Sequence, residues 1–328
     1  MTGTKYEIPI VDVSPLINGE PDGAARVGKE VAKACDSVGF FYAVGHGVPT
    51  EVIDGAFAQS ERFFGWPIEE RMKIKVDEFS RGYFPLEQIS HPEGKGVADL
   101  KESFDFGIDV PLDDPDVIAG KLHGPNRWPD LPNFRDPIET YFETVRNFGF
   151  KLLPAFAAAL DLPLDFFQKL YQPRPIALMR LIRYPPRPAD APERQLAAAA
   201  HTDYGMMTIL AQDAAGGLQL KPRDSEWFAA PCIPNSFIIN LGDLLAQWTN
   251  GRFMSMPHRV VHNQDKQRLS IALFYHPTFD TKVECLPSCQ SPDNPPKYEP
   301  VSFGEYILGK YGKIFVHEHR GSECTAAE

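Results

Sequence analysis

The stretch Ala200-His201-Thr202-Asp203-Tyr204-Gly205 decides how this chain is read, together with Ser255-Met256-Pro257-His258-Arg259-Val260 and Arg268-Leu269-Ser270 downstream. His-x-Asp followed far along the sequence by a second His supplies two imidazoles and one carboxylate. That donor set grips ferrous iron on one face and leaves the opposite face open. Open positions let a co-substrate and O2 bind together, so oxidation chemistry leads the reading. The segment Ala200 to Ile209 reads as a strand, on which His201 and Asp203 share a face. His262, four positions beyond His258, competes with it for the distal role. Arg268 and Ser270 also share a strand face. A guanidinium holds a carboxylate through two parallel charge-assisted bonds, so an iron-chelating acid with a second carboxylate at its far end fits, and 2-oxoglutarate is such an acid.

Outward from this stretch the pattern is β-rich. From Ile176 onward, short β-prone segments are separated by Gly, Pro and Asn, which predicts a β core. Strands are expected at Leu178 to Tyr184, Leu218 to Leu220, Phe237 to Asn240, His258 to His262 and Leu269 to Tyr275. Asn240-Leu241-Gly242-Asp243 reads as a structural turn. Pro185 to Leu196 reads as an insertion, Pro287 to Pro300 as a Pro-rich connection and Phe303 to Tyr311 as a closing helix. The first half is more helical. Ile8 to Val11 predicts a strand, and Val27, Val31, Ala34, Cys35 and Val38 recur at helical spacing over Asp22 to Val38. A second helix starts at Pro49-Thr50, with Thr50 as cap, and a long one spans Pro137 to Leu160. Ser90 to Asp99 reads as a loop.

With these residues in view, the chain resembles the Fe(II)/2-oxoglutarate-dependent oxygenase superfamily, in the branch of isopenicillin N synthase and the plant flavonoid and gibberellin oxidases. The resemblance rests on Ile8-Pro9-Ile10-Val11-Asp12, Asp36-Ser37-Val38-Gly39-Phe40-Phe41-Tyr42 and Gly45-His46-Gly47-Val48-Pro49. In the core it rests on His201-Thr202-Asp203, Gly216-Gly217-Leu218-Gln219, Asn240-Leu241-Gly242-Asp243, Ser255 to Val260 and Arg268-Leu269-Ser270. It implies an α+β, mainly β fold: a double-stranded β-helix, or jelly roll, with a helical N-terminal region and bracing helices. The implied division is an N-terminal region over 1–120 and a catalytic region over 121–328, with its barrel core at about 176–282. It implies Fe(II) held by His201, Asp203 and His258, with His258 preferred over His262. Arg268, Ser270 and Tyr184 would hold the far carboxylate of 2-oxoglutarate. O2 would be the other co-substrate, succinate and CO2 would leave, and a small organic substrate would be hydroxylated, desaturated or cyclised, as in secondary metabolism. Where the plant enzymes usually carry Asn, this chain has Ile182.

Strand parity adds Arg180, on the same face as Tyr184. A buried Arg needs a carboxylate, so Arg180 grips substrate or co-substrate, or else an internal acid. By analogy of position, Arg81, Tyr83, Phe104, Tyr204 and Phe274 are the expected pocket walls. Two alternatives stay open on these residues. One is an isopenicillin N synthase-like oxidase that needs no 2-oxoglutarate, and the other is a non-catalytic metal-binding barrel.

Bulk properties narrow the classes. The 328 residues are 43% hydrophobic, enough for one large folded unit, and the net charge of -11 disfavours nucleic-acid phosphates. Five scattered cysteines, Cys35, Cys232, Cys285, Cys289 and Cys324, argue against a disulfide framework and for a reducing cytoplasm. Cys285 and Cys289 lack a nearby His partner for zinc. No basic-then-apolar leader and no membrane-length apolar run is expected. A monomer or weak homo-oligomer is expected.

Overall fold

The computed structural model describes residues 7–86, 99–189, 191–192, 195–222, 225–262 and 265–310. Most of the expected Ser90 to Asp99 loop, Tyr311 and Cys324 lie outside the described residues. The N-terminal part runs through β1 (Ile10–Asp12), α1 (Ser14–Ile17), α2 (Gly23–Ser37), β2 (Phe40–Val44), α3 (Thr50–Phe64), α4 (Ile68–Met72), β3 (Gly82–Phe84), β4 (Glu102–Gly107) and α5 (Pro115–Ile118). Then come α6 (Arg135–Ala159), α7 (Phe166–Leu170), β5 (Ile176–Tyr184), β6 (Ala198–His201), β7 (Met207–Gln212), β8 (Leu218–Leu220), β9 (Phe228–Ala229) and β10 (Phe237–Leu241). The chain continues through α8 (Asp243–Trp248), β11 (His258–Val260), β12 (Arg268–His276), β13 (Lys282–Val283) and β14 (Val301–Ser302), and residues 303–310 form α9.

Helical periodicity becomes helix where it predicts one. In α2 the buried stripe is Val27, Val31, Ala34 and Cys35. In α6 it includes Tyr141, Phe142, Val145, Phe148, Leu152 and Phe156. Pro154 inside α6 removes the N–H that would reach the Phe150 carbonyl. Gln168 Nε2 donates to that carbonyl instead, at 3.3 Å. Gly149 lets α6 lie close on the sheet: a Cβ there would sit 2.9 Å from both Ile209 Cδ1 and Tyr275 Cδ1. Thr50 is not a cap. Pro49 occupies that position, and Thr50 Oγ1 donates to Asn235 Oδ1 at 3.4 Å.

The large sheet has eight strands in the order β1-β2-β10-β7-β12-β5-β4-β3, antiparallel except for the β1–β2 pair. Four of its strands come from the N-terminal part, more than a helical reading of that half foresees. The smaller sheet has the order β6-β11-β8-β9. One apolar cluster joins the two sheets, drawing Phe40 and Tyr42, Ile182 and Tyr184, Leu218 and Leu220, Ile238 and Val260. The helices bury the opposite face of the large sheet in the main core. The result is a mixed α/β layering: helices, large sheet, small sheet.

Two faces of one strand therefore meet different partners. On β5, Met179 and Leu181 enter the helical core, whereas Arg180, Ile182 and Tyr184 face the space between the sheets. On the helical side, Glu102 is buried and accepts from Arg71, from the Tyr83 hydroxyl and, at 2.5 Å, from Arg183 Nη1. This network ties α4, β3, β4 and β5 together. The acid is surrounded by donors, as a buried charge must be.

The expected strand Ala200 to Ile209 is broken. Strand β6 ends at His201, and β7 begins at Met207. Between them the chain turns onto α8: Asp243 N–H donates to the Asp203 carbonyl at 2.7 Å, and Leu244 N–H donates to the carbonyls of Tyr204 and Gly205 at 3.2 Å. Gly205 makes the turn possible, because a Cβ there would lie 2.0 Å from the His276 ring.

Candidate functional site

The turn after β6 brings three distant side chains together. His201 closes β6 and pairs across the small sheet with His258, which opens β11. Their ring centroids are 4.3 Å apart. Asp203 Oδ1 lies 4.0 Å from His201 Nε2 and 3.8 Å from His258 Nε2. One donor atom from each residue falls within 4.8 Å of the others; among the described residues no other group of three or more His, Cys, Asp or Glu side chains does so. His262 and the Cys285/Cys289 pair are outside it.

Each donor is aimed by a second contact. His201 Nδ1 lies 2.7 Å from the Ala199 carbonyl, and His258 Nδ1 lies 3.2 Å from the Met256 carbonyl. A carbonyl can only accept, so Nδ1 carries the proton and Nε2 presents its lone pair inward. Asp203 Oδ2 accepts from Thr208 Oγ1 and from Asn240 Nδ2, both at 2.6 Å, which leaves Oδ1 toward the imidazoles. Burial alone would raise the Asp203 pKa. The facing His258 and His201, with the bonds from Thr208 and Asn240, outweigh it and hold the carboxyl below its ordinary range. Nearby, His276 Nδ1 accepts the Met206 N–H at 3.1 Å, and burial lowers that imidazole to about 4. It stays neutral and fixed as a support for the turn.

Asn240 belongs to a strand rather than to the turn its motif suggests. It lies on β10, on the interior face with Ile238, and it orients Asp203. The signal is present in the sequence: an Asn two residues after an inward Ile on a strand also points inward.

Arg268 opens β12 opposite Tyr184 on β5, and its guanidinium carbon sits 4.8 Å from the Tyr184 ring centroid. Arg268 Nη1 donates to Ser270 Oγ, and Nη2 donates to Gln212 Oε1, both at 3.1 Å. Gln212 is in turn held by its own donation to the Ala230 carbonyl at 3.2 Å. Sequence reasoning misses Gln212, although it shares the inward face of β7 with Thr208 and Leu210. Arg268 Nε is buried with no partner among the described residues. An unsatisfied buried N–H on a cation is costly, and an incoming carboxylate would satisfy it. Together with the two-nitrogen, one-oxygen donor set, this orphaned group fits iron and a dicarboxylate between them.

The expected pocket walls divide. Arg180 reaches the interior face and lies 5.6 Å from the ring centroids of both Phe84 and Phe274. It donates to Asp105 on β4 through Nε at 2.8 and 3.0 Å and through Nη2 at 2.6 Å. Tyr204 is half-buried, with Lys310 Nζ of α9 at 4.9 Å from its ring centroid. Tyr83 and Phe104 are corrections. Both point into the helical core, where Phe104 packs on Phe63, Phe106, Trp128 and Phe134, and Tyr83 bonds Glu102. Phe84 and Asp105, their chain neighbours, take the interior face. Arg81 is buried and donates to the carbonyls of Phe79, Ser80 and Leu122, bracing the loops beside β3.

Known proteins similar to this chain share one family. Residues 8–131 match the family described as non-haem dioxygenase in morphine synthesis N-terminal, and residues 175–277 match the 2OG-Fe(II) oxygenase superfamily. The chain is 33% identical over 318 residues to kihadalactone A synthase of Citrus sinensis, covering 94% of both proteins. It is 34% identical over 323 residues to a homoarginine-6-hydroxylase of Oryza sativa subsp. japonica, covering 94% of this chain and 98% of the relative. Among solved structures, a full-length Neurospora crassa protein in complex with alpha-KG and thymine superposes with a TM-score of 0.82 at 26% identity, over 95% of this chain and 98% of that one. No helix among the described residues is long and apolar enough to cross a membrane. The chain belongs to the 2OG-Fe(II) oxygenase superfamily, the enzymes that use ferrous iron, 2-oxoglutarate and O2 to oxidise a substrate.

Proposed function

We propose that this chain oxidises a small organic molecule at an iron held by His201, Asp203 and His258, with 2-oxoglutarate anchored by Arg268, Ser270 and Tyr184. The observation that carries the reading is directional. Both imidazoles are locked through Nδ1, Asp203 is locked through Oδ2, and the remaining three donor atoms converge. When bound, the ferrous ion with 2-oxoglutarate and O2 supplies an oxidant able to take hydrogen from a C–H bond, with succinate and CO2 released. The chain's own residues bind and orient. Arg268 offers its buried Nε and the edge supported by Ser270 and Gln212 to the far carboxylate. The two facing sheets exclude water from the space between them. Arg180 and Phe274 on the same interior face, with Tyr204 in the turn beside Asp203, form the substrate side.

In this reading the two sheets are the walls of a distorted double-stranded β-helix, a catalytic unit over about 176–282 within 121–328, preceded by an N-terminal region over 1–120. The protein works as a monomer or weak homo-oligomer. The cytoplasm suits it, since the four described cysteines are free thiols and the iron must stay ferrous.

The test is an anaerobic titration with Fe(II) and 2-oxoglutarate, followed by a substrate screen scored by succinate release. Bidentate chelation produces a visible charge-transfer band, and O2 should then yield succinate. No band at saturating iron and 2-oxoglutarate would overturn the assignment of these residues.

A further inference from the structure

Resting on that reading, we infer that Asp99 and Lys101, a buried pair from the N-terminal part, are positioning residues for His201: they complete the edge of its strand and so set how tightly the chain holds ferrous iron. The two imidazoles are not equally supported. His258 opens β11, which lies between β6 and β8 and is paired on both sides. Phe40 also packs edge-on against the His258 ring, with centroids 5.5 Å apart. His201 closes β6, the outer strand of the same sheet, and among the described residues no strand pairs with its other side. Such an edge presents backbone N–H and C=O groups that need partners. The chain at 99–101 takes the place of the missing neighbour. The Ala199 N–H donates to Asp99 Oδ1 at 2.8 Å, and the Leu100 N–H donates to the Leu196 carbonyl at 3.2 Å. Lys101 Nζ donates to the second oxygen, Asp99 Oδ2, at 2.8 Å. Asp99 is 2% and Lys101 6% exposed, so water competes little for these bonds.

Ala199 is where this edge meets the iron donors. Both of its backbone groups have side-chain partners: the N–H goes to Asp99, and the carbonyl accepts from His201 Nδ1 at 2.7 Å. Asp99 therefore fixes the Ala199 backbone, the Ala199 carbonyl fixes the His201 ring, and Nε2 is left aimed toward Asp203 and His258. A shift of Ala199 would move the acceptor that aims the imidazole. Partners directly behind a metal-bound imidazole change metal affinity by about 10–100-fold; Asp99 stands one link further back, where about three- to tenfold is expected. Asp99 and Lys101 fall within the stretch that matches the N-terminal family, 8–131, whereas all three iron donors fall within 175–277. On this inference the N-terminal part helps to build the metal site, rather than only flanking it.

The experiment is anaerobic calorimetric titration of the metal-free full chain with Fe(II) alone, so that no turnover enters the reading. Asp99→Leu/Lys101→Met removes both charges together with the acceptor, and should weaken Fe(II) binding about three- to tenfold. Asp99→Asn/Lys101→Gln also removes both charges but keeps an acceptor for the Ala199 N–H, and should stay within about twofold of the unmodified protein. Val31→Ala opens a gap in the helical core, lowers stability without touching the β6 edge, and should also leave Fe(II) affinity within about twofold. Should the first double variant misfold by circular dichroism, hydrogen exchange on the unmodified protein carries the test. Coupling is reciprocal, so Fe(II) should slow exchange across 99–102 and 196–201 by at least about twofold, with α2 unchanged. Equal Fe(II) affinity in both double variants, an equal loss in Val31→Ala, or exchange across 99–102 unmoved by Fe(II) overturns the inference. Failure of the unmodified protein to bind Fe(II) would instead overturn the underlying site assignment.

Discussion

Arg268 and Arg180 stand on the same face of two paired strands and differ in what lies across from them. Arg268 meets Ser270, Gln212 and the Tyr184 ring, all neutral, and keeps a buried N–H without a partner among the described residues. Arg180 meets a buried carboxylate that takes three of its bonds. The residue type is identical, so the difference lies in the neighbouring strand: β7 offers an amide and β4 offers an acid. An arginine in a neutral setting suits an incoming charge, whereas one with a buried acid beside it already has a counter-charge.

The sharpest way to break this contrast is to remove what stands between the two ends. Asp203→Ala should abolish succinate release, reducing it to the level of the iron-free protein. Measurable turnover would mean that the ion does not sit at the converging donors, and the two arginines would then have no common centre. Arg268→Ala comes next. It should weaken 2-oxoglutarate binding by about 2–5 kcal/mol, the usual cost of removing one partner of a buried charge pair, read from the charge-transfer titration. An unchanged affinity would erase the distinction between the arginines. Gln212→Leu tests a finer point, since it removes an orienting acceptor while leaving the cation. A loss of about 0.5–1.5 kcal/mol in 2-oxoglutarate affinity is expected, the scale of one hydrogen bond.

Acid acts on the fold rather than on the site. Burial holds His46 below its ordinary pKa, and burial with the nearby Arg174 holds His123 down to about 4, against an ordinary value of 6.5. The unfolded chain therefore binds protons that the folded chain refuses between about 4 and 6.5. Stability should rise with pH across that window and level off above it. Urea midpoints measured through the window check this, and His123→Gln should flatten the slope. Affinity measurements at either arginine belong above the window, where the fold is not itself titrating.

Much of the site is legible in the sequence because its chemistry needs particular residue types at fixed places. His201, Asp203, His258, Arg268 and Ser270 are such residues, and parity places Arg180 inside. Analogy of position fails at Tyr83 and Phe104 for a physical reason. In most sheets the apolar face is the interior one. Here the apolar face of β4, with Phe104 and Phe106, is covered by helices, while Ser103 and Asp105 face the space between the sheets. The pattern is regular but its sides are exchanged. Asp203 also escapes the strand reading, because Gly205 and the start of α8 impose a turn that no alternation announces. Asn240 is hidden by its motif, since Asn-x-Gly-Asp resembles a turn and only the partner strand shows otherwise.

The order of strands in the large sheet carries a kinetic consequence. Strand β2 is clamped between β1 and β10, and β4 lies against β5, so segments far apart in sequence must find one another before the sheet exists. Closing such loops costs chain entropy ahead of any reward, the hallmark of high contact order and slow folding. His258 meets His201 only across the separate small sheet, from far along the chain, so the converging donors are a product of tertiary structure. Iron held at these donors would find its seat only in the folded chain.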